Sequence, residues 1–166
     1  MGKSTANRGL SFEKQIEDKC EELQKEKIAL IHKVPTDWKV LRKWINGKSQ
    51  IYNAFPVSES KFVDFIGIYN NSALAIEAKE TNEEKRFPFD NIKDTQIEFL
   101  DLWSELGGKG YYIIKFKQQK KVFFIPSEKM HDCIKNIGRK SAPYQWFLDN
   151  CIELDYKELN FIDYIN

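Results

Sequence analysis

Two strand-like segments joined by a tight turn constrain the fold of this chain more than any other feature. Phe62 to Tyr69 and Ala73 to Lys79 are rich in apolar and β-branched residues, as strands are. The residues between them, Asn70-Asn71-Ser72, tolerate the left-handed backbone of a hairpin turn. We therefore predict that these two strands pair in a sheet.

Helix and strand patterns surround this hairpin. Ser11 precedes an apolar stripe of helical spacing at Phe12, Ile16, Cys20 and Leu23. Further helices are predicted to begin at Asp90, at Ser127 and after Pro143, and further strands at Ile28–Val34, Tyr111–Lys117 and Lys121–Pro126. This order predicts a single α/β domain over residues 1–166, in which a mixed central sheet is flanked by helices.

Composition excludes several classes of protein. A chain with 42% hydrophobic and 31% charged residues is too apolar for a disordered tail and too charged for a membrane protein. The 26 basic and 25 acidic residues nearly cancel, so any nucleic-acid surface must be a local patch. The three cysteines are widely spaced and include no CxxC pair, which is typical of buried thiols in a reducing cytoplasm.

The candidate chemistry lies on the predicted hairpin. Strand alternation places Glu77 and Lys79 on one face, and Asp64 is an acid within an otherwise apolar strand. If the strands pair through the asparagine turn, Asp64 lies within a few residues of being opposite Glu77. Two carboxylates that close repel each other unless a cation sits between them.

A hard divalent ion such as Mg²⁺ would bind this pair and leave positions for phosphate oxygens and water. Lys79 would then orient the water or neutralise the charge that develops on phosphorus. The alternative is a plain salt bridge from Asp64 or Glu77 to Lys79, because Glu-x-Lys is a common tripeptide.

Two helical residues bear on this choice. Gln96 interrupts the apolar face of its predicted helix, and a buried amide requires partners such as the ligands of a metal site. The alternative is a solvated position at the edge of the stripe. Glu13 follows Phe12 on the first helix and either leans toward the sheet or is ordinary surface charge.

The ordered set Asp64, Glu77-Ala78-Lys79 and Gln96 resembles the PD-(D/E)XK nucleases, and within them the RecU family of Holliday junction resolvases. The resemblance is carried by Asn7–Glu13, Ile28–Thr36, Glu77–Thr81, Phe87-Pro88, Gln96–Glu98, Gly138–Ser141 and Ile162–Tyr164. The chain departs from the family at Ala75-Ile76, where an Asp-Phe pair is usual, and at Thr95, where His is usual. Its compact form resembles a phage-type member.

The resemblance implies a homodimeric endonuclease that uses Mg²⁺, with Mn²⁺ as a substitute, and makes paired symmetric cuts in four-way DNA junctions. By position it implies that Asp64, Glu77 and Glu13 are metal ligands, that Lys79 is the catalytic lysine, and that Gln96 belongs to the catalytic set. Exposed aromatics such as Tyr52 and Phe55 are candidates for the dimer interface.

A basic segment supplies the local patch that the overall charge lacks. Between His32 and Gln50 five basic residues stand against Asp37 alone, interleaved with Trp38 and Trp44. The resemblance implies that residues of about 35–56 form a stalk that contacts the junction. The predicted DNA-binding residues are Arg8, Lys33, Lys39, Arg42, Lys43, Lys48, Arg139 and Lys140.

Two other functions remain open at this point. One is a PD-(D/E)XK restriction or repair endonuclease that acts on linear duplex or flaps, with the same active-site residues. The other is a catalytically inactive protein that only binds DNA junctions, although intact Asp64, Glu77 and Lys79 argue against it.

Overall fold

A computed structural model describes residues 11–35, 38–56 and 62–165. Its strands are β1 (Leu30–Lys33), β2 (Trp38–Ile45), β3 (Lys48–Pro56), β4 (Phe65–Tyr69), β5 (Ser72–Thr81), β6 (Arg86–Pro88), β7 (Lys109–Phe116), β8 (Lys121–Pro126), β9 (Ser141–Pro143) and β10 (Ile152–Leu154). Its helices are α1 (Phe12–Lys25), α2 (Asp94–Glu105), α3 (Ser127–Asn136) and α4 (Tyr144–Asn150), with 3₁₀ turns at Phe89–Asn91 and Phe161–Tyr164.

Six strands form the central sheet in the order β1-β4-β5-β7-β8-β10. Strands β5 and β7 are parallel and the other neighbours are antiparallel, so the sheet is mixed. One face packs on α1 and the C-terminal 3₁₀ turn, and the other packs on α2, α3 and α4. The predicted mixed sheet flanked by helices is confirmed.

The hairpin of β4 and β5 forms as predicted. Asn70 and Asn71 adopt φ values of 46° and 60°, the left-handed conformation of a two-residue turn. Strand β4 begins at Phe65, which pairs with Ile76, so Asp64 precedes the strand rather than lying within it. The register nevertheless brings Asp64 level with Glu77.

Gly67 explains how β1 joins the sheet. A Cβ added at this residue would lie 2.2 Å from the carbonyl oxygen of Leu30 and 2.5 Å from Cα of Ile31. Only glycine therefore allows β1 to approach β4 as closely as it does.

Helix α2 begins later than the sequence pattern predicts. Asp90 lies in the preceding 3₁₀ turn and does not cap the helix, so that prediction was wrong. The N-cap is Lys93, whose backbone N–H donates to Oε1 of Gln96 at 3.2 Å. Because the Gln96 side chain reaches back in this way, it caps the helix from within the first turn.

Strands β2 and β3 form a separate two-stranded sheet. Their turn is Asn46-Gly47, with φ values of 52° and 74°, and Ile45 pairs with Lys48 across it. Trp44 is 77% exposed and Ile51 is 60% exposed. The side chains of Trp38, Lys39, Tyr52, Phe55 and Pro56 lie outside the described part of the structure.

The three thiols are free; Cys20 and Cys133 are buried and Cys151 is partly exposed. Within the described ranges, no helix has both the length and the apolar character that crossing a membrane requires.

Candidate active site

The two carboxylates predicted from the hairpin, Asp64 and Glu77, each accept a hydrogen bond from a backbone N–H of the neighbouring segment. The Ala78 N–H donates to Oδ2 of Asp64 at 2.9 Å, and the Asp64 N–H donates to Oε2 of Glu77 at 3.2 Å. This exchange follows from the β4–β5 register, which places residue 64 opposite residue 77. The Ala78 amide was missed by the sequence analysis, since a backbone donor leaves no signal in residue type.

Gln96 and Lys79 meet at the same carboxylate oxygen. The Gln96 Nε2 donates to Oε1 of Glu77 at 2.6 Å, and the Lys79 Nζ lies 2.7 Å from that oxygen. Gln96 is 5% exposed, so its alternative placement at a solvated helix edge is wrong. Asp64, Glu77, Lys79 and Gln96 are therefore brought together as a cluster, hereafter the carboxylate cluster.

The ion pair between Glu77 and Lys79 does not balance the negative charge of the carboxylate cluster. Burial, with the nearby charge of Asp64, raises the pKa of Glu77 to about 7, although Lys79 acts in the opposite direction. Burial is also the main cause that raises the pKa of Asp64, and the charge of Glu13 adds to it. The Glu77–Lys79 ion pair therefore exists, but it leaves the negative charge of the cluster undercompensated.

The cluster fits a hard divalent cation. Its donors are carboxylate oxygens, one just before β4 and one on β5. Both carboxylates have raised pKa values, which a positive ion would lower. In the described residues, no three side chains of His, Cys, Asp or Glu are grouped so as to hold a metal ion. A cation bound here would complete its shell with backbone, water or phosphate oxygens, as Mg²⁺ commonly does.

Glu13 lies near the cluster but is bound to another partner. Its Oε2 is 2.6 Å from the Lys33 Nζ, and its side chain is 44% exposed. It is close enough to raise the pKa of Asp64. The assignment of Glu13 as a third metal ligand stays a prediction.

The predicted DNA-binding residues occupy two described surfaces. Arg42, Lys43 and Lys48 are exposed on the β2–β3 hairpin, while Arg139 and Lys140 are exposed in the loop before β9. The Lys140 carbonyl accepts from the Phe89 N–H at 3.1 Å, which places that loop beside the turn leading into α2. Arg8 and the side chain of Lys39 lie outside the described residues.

Comparison with known proteins gives consistent matches along the chain. The family model described as "RecU: Recombination protein U" matches residues 7–166. A protein of Pediococcus pentosaceus named "Holliday junction resolvase RecU" is 29% identical over 163 residues, which cover 95% of this chain and 81% of that protein. A Streptococcus sanguinis protein of the same name is 26% identical over 163 residues, with 96% and 81% coverage.

A solved structure is also similar. Hjc of Archaeoglobus fulgidus, titled a Holliday junction resolvase, is 16% identical with a TM-score of 0.48, and the match covers 87% of this chain and 96% of that chain.

Proposed function

The chain belongs to the RecU family, and we propose that it is an endonuclease that resolves four-way DNA junctions by divalent-metal-dependent hydrolysis of phosphodiester bonds. The observation that carries this proposal is the buried carboxylate cluster, in which Asp64 and Glu77 stand side by side with Lys79 and Gln96. Its members are the residues that the resemblance to the family's motif assigns to the active site.

Each member of the cluster has a separate task. Asp64 and Glu77 would hold the cation, and Gln96 and Lys79 fix the oxygen Oε1 of Glu77 by hydrogen bonds of 2.6 and 2.7 Å. A bound divalent ion polarises the phosphoryl oxygen and lowers the pKa of its water. Lys79 is 17% exposed at its side chain, so its ammonium is available to neutralise charge on the phosphate.

We expect the ion to be Mg²⁺, with Mn²⁺ as a substitute. Oxygen ligands from two carboxylates with several remaining waters suit both ions, and no soft sulfur or imidazole ligand belongs to the cluster as described. We propose Glu13 as a further carboxylate ligand; its Oε2 contacts Lys33, and Oε1 is the oxygen that would reach the ion.

The β2–β3 hairpin and the loop at Arg139 and Lys140 are the proposed DNA-binding surfaces. Exposed Arg42, Lys43 and Lys48 supply phosphate contacts, and Trp44, which is 77% exposed, supplies an aromatic surface beside them. Lys33, at the edge of the carboxylate cluster, is a further proposed phosphate contact. Arg8 and Lys39 are proposed as DNA-binding residues from the sequence pattern alone. We propose that this hairpin is the stalk that the resemblance implies for residues of about 35–56 within a single nuclease domain.

A homodimer is proposed because resolution needs two cuts related by two-fold symmetry. An apolar surface suits this arrangement: Leu30 and Ile68 are paired on β1 and β4 and are 45% and 52% exposed. Leu106, the residue that follows α2, is 80% exposed. Trp103 Nε1 donates to the Ala73 carbonyl at 3.4 Å, and Ala73 pairs with Ile68, so the helix end adjoins these strands.

The test compares cleavage of a labelled four-way junction, a linear duplex of the same sequence and a flap, with Mg²⁺, with Mn²⁺ and with chelator. We expect paired symmetric cuts in the junction that require the metal. Asp64→Asn should bind the junction but not cut it, because an amide is a poor ligand of the same shape. The matched change Asp132→Asn, at an exposed position of α3, should cut normally.

Equal cutting of the duplex or the flap would indicate a restriction or repair nuclease instead. Junction binding without cutting by the unaltered protein would indicate a binding protein that has lost activity.

A further inference from the structure

A chain of three polar side chains lies between the sheet and the helices, outside the carboxylate cluster. The hydroxyl of Tyr112 is 2.9 Å from Nε2 of His131, and Nδ1 of His131 is 2.6 Å from Oδ1 of Asp101. When Nδ1–H donates to the carboxylate, Nε2 accepts from the tyrosine hydroxyl, so both ring nitrogens have a partner. Each residue comes from a different element: β7, α3 and α2.

Two members of this polar chain are buried at a place where apolar packing would suffice, and Asp101 at its end is partly exposed. Tyr112 is 0% exposed and His131 is 2% exposed, within a cluster otherwise built from aliphatic and aromatic side chains. Hydrogen-bonded polar groups in a core add little net stability over apolar groups of similar shape. Directional bonds there do fix the relative position of the elements they join, which apolar contacts do less strictly.

The polar chain adjoins the carboxylate cluster through the sheet. Tyr112 of β7 is the partner of Glu77 in the parallel pairing with β5. Burial raises the pKa of Tyr112, and the charges of Glu77 and Asp101 both add to that increase, so both carboxylates act on this tyrosine.

Helix α2 carries one residue of each group. Gln96 donates to Glu77 and Asp101 accepts from His131. They are five positions apart, which is about 7.5 Å along a helix axis. Directional contacts at two heights restrict the rotation and the axial position of a helix more strictly than the apolar packing of a buried residue such as Leu100.

We propose that Asp101, His131 and Tyr112 are positioning residues, which fix α2 so that the Gln96 amide holds Oε1 of Glu77 in the orientation that cleavage requires. This inference rests on the proposed function for its effect on cleavage, but the effect on Gln96 itself does not depend on activity. None of the three touches the reacting atoms, so each acts only through the placement of Gln96.

The main test uses the double variant Tyr112→Phe/His131→Phe. It removes both hydrogen bonds and leaves no buried hydroxyl or imidazole unpaired, so it should fold and retain a cooperative thermal transition. We expect the cleavage rate at saturating junction and Mg²⁺ to fall by about 10-fold to 100-fold, the range typical of partners that orient metal ligands. The dissociation constant for the junction should not change.

Tyr111→Phe is the matched control, because Tyr111 is the neighbouring tyrosine on β7 and stacks on Phe124 in the opposite layer. Should the double variant not fold, the partly exposed Asp101 supplies a second pair. Asp101→Ala should lower the rate, whereas Asp101→Asn keeps a carbonyl acceptor for Nδ1–H and should restore most of it.

A spectroscopic measurement separates this inference from the proposed function. The side-chain amide signals of Gln96, assigned by their loss in Gln96→Ala, should shift in the double variant and in Asp101→Ala, but not in Tyr111→Phe. A shift in a protein whose unaltered form cuts no junction would support the positioning role and overturn the proposed function. Unchanged Gln96 signals in a folded double variant, or an unchanged cleavage rate beside normal wild-type cutting, would overturn the positioning role.

Discussion

Replacing Glu77 by glutamine should change how the stability of the metal-free protein depends on pH. The pKa of Glu77 is raised from 4.5 to about 7 in the folded protein, chiefly by burial. The folded state binds the Glu77 carboxyl proton more tightly than the unfolded state does. Protonated Glu77 therefore contributes its full stabilisation of the folded state below pH 4.5, and this stabilisation is lost as the pH rises through 7.

The size of the loss follows from the two pKa values. At about 1.36 kcal/mol for each pKa unit, the difference between 4.5 and about 7 corresponds to about 3 kcal/mol. The wild-type free energy of unfolding should therefore fall by about this amount, relative to Glu77→Gln, between pH 4.5 and pH 8. Groups that titrate in both proteins contribute equally to the pH dependence and cancel in the difference. The exception is Asp64, whose titration is coupled to that of Glu77.

The assay is urea unfolding in the presence of a chelator at pH 5, 6, 7 and 8. Glu158→Gln, an exposed change near the C-terminus, is the control and should follow the wild type at every pH. Adding Mg²⁺ or Mn²⁺ at pH 8 should stabilise the wild type more than Glu77→Gln, since a ligand of the folded state adds stability according to its affinity. A constant difference between wild type and Glu77→Gln from pH 5 to pH 8 would refute the assignment of Glu77 as the undercompensated charge.

Three further predictions concern catalysis, DNA binding and assembly. Lys79→Ala should lose most cleavage and retain metal-induced stabilisation; loss of that stabilisation would favour a purely structural salt bridge. Replacing Lys39, Arg42 and Lys43 together by alanine should weaken junction binding and lower the magnitude of the salt slope of log K by about 0.9 per lost phosphate contact. A matched triple change at Lys129, Lys135 and Lys157 should leave that slope unchanged. Equal slopes in the two triple variants would contradict DNA binding by the β2–β3 hairpin. Leu106→Glu should yield monomers by light scattering whereas Leu148→Glu on α4 should not, and a persistent dimer in Leu106→Glu would exclude a dimer interface at Leu106.

The part of the site that the sequence predicted depends on short-range rules. A turn at Asn70-Asn71 determines the register of two strands, and that register alone places Asp64 level with Glu77. The buried position of Gln96 follows from a polar interruption in a helical stripe. Both inferences use residues that are close in sequence, where periodicity and turn chemistry dominate.

Where the sequence failed, a competing local or distant contact decided the structure. Asp90 has the right chemistry for an N-cap, but the Gln96 side chain caps α2 and the chain before it turns as 3₁₀. The sequence pattern does not predict the β2–β3 hairpin although Asn46-Gly47 is a strong turn signal, because basic and aromatic residues obscure the strand alternation around it. The Asp101–His131–Tyr112 chain joins three elements far apart in sequence, so no pattern within one segment predicts it.

The position of Lys79 shows why an ion pair and a metal site are compatible in this protein. Lys79 is two residues from Glu77 on the same face of β5, and its ammonium lies 2.7 Å from one carboxylate oxygen of Glu77. It does not compensate both carboxylates, because Asp64 and Glu77 keep raised pKa values although the charge of Lys79 lowers both and that of Lys33 also lowers the pKa of Asp64. A divalent cation bound here would supply the positive charge that this arrangement lacks and would weaken the attraction of Glu77 for Lys79. We expect the lysine then to turn toward a phosphate, so that the same residue would stabilise the cluster at rest and serve the reaction once an ion is bound.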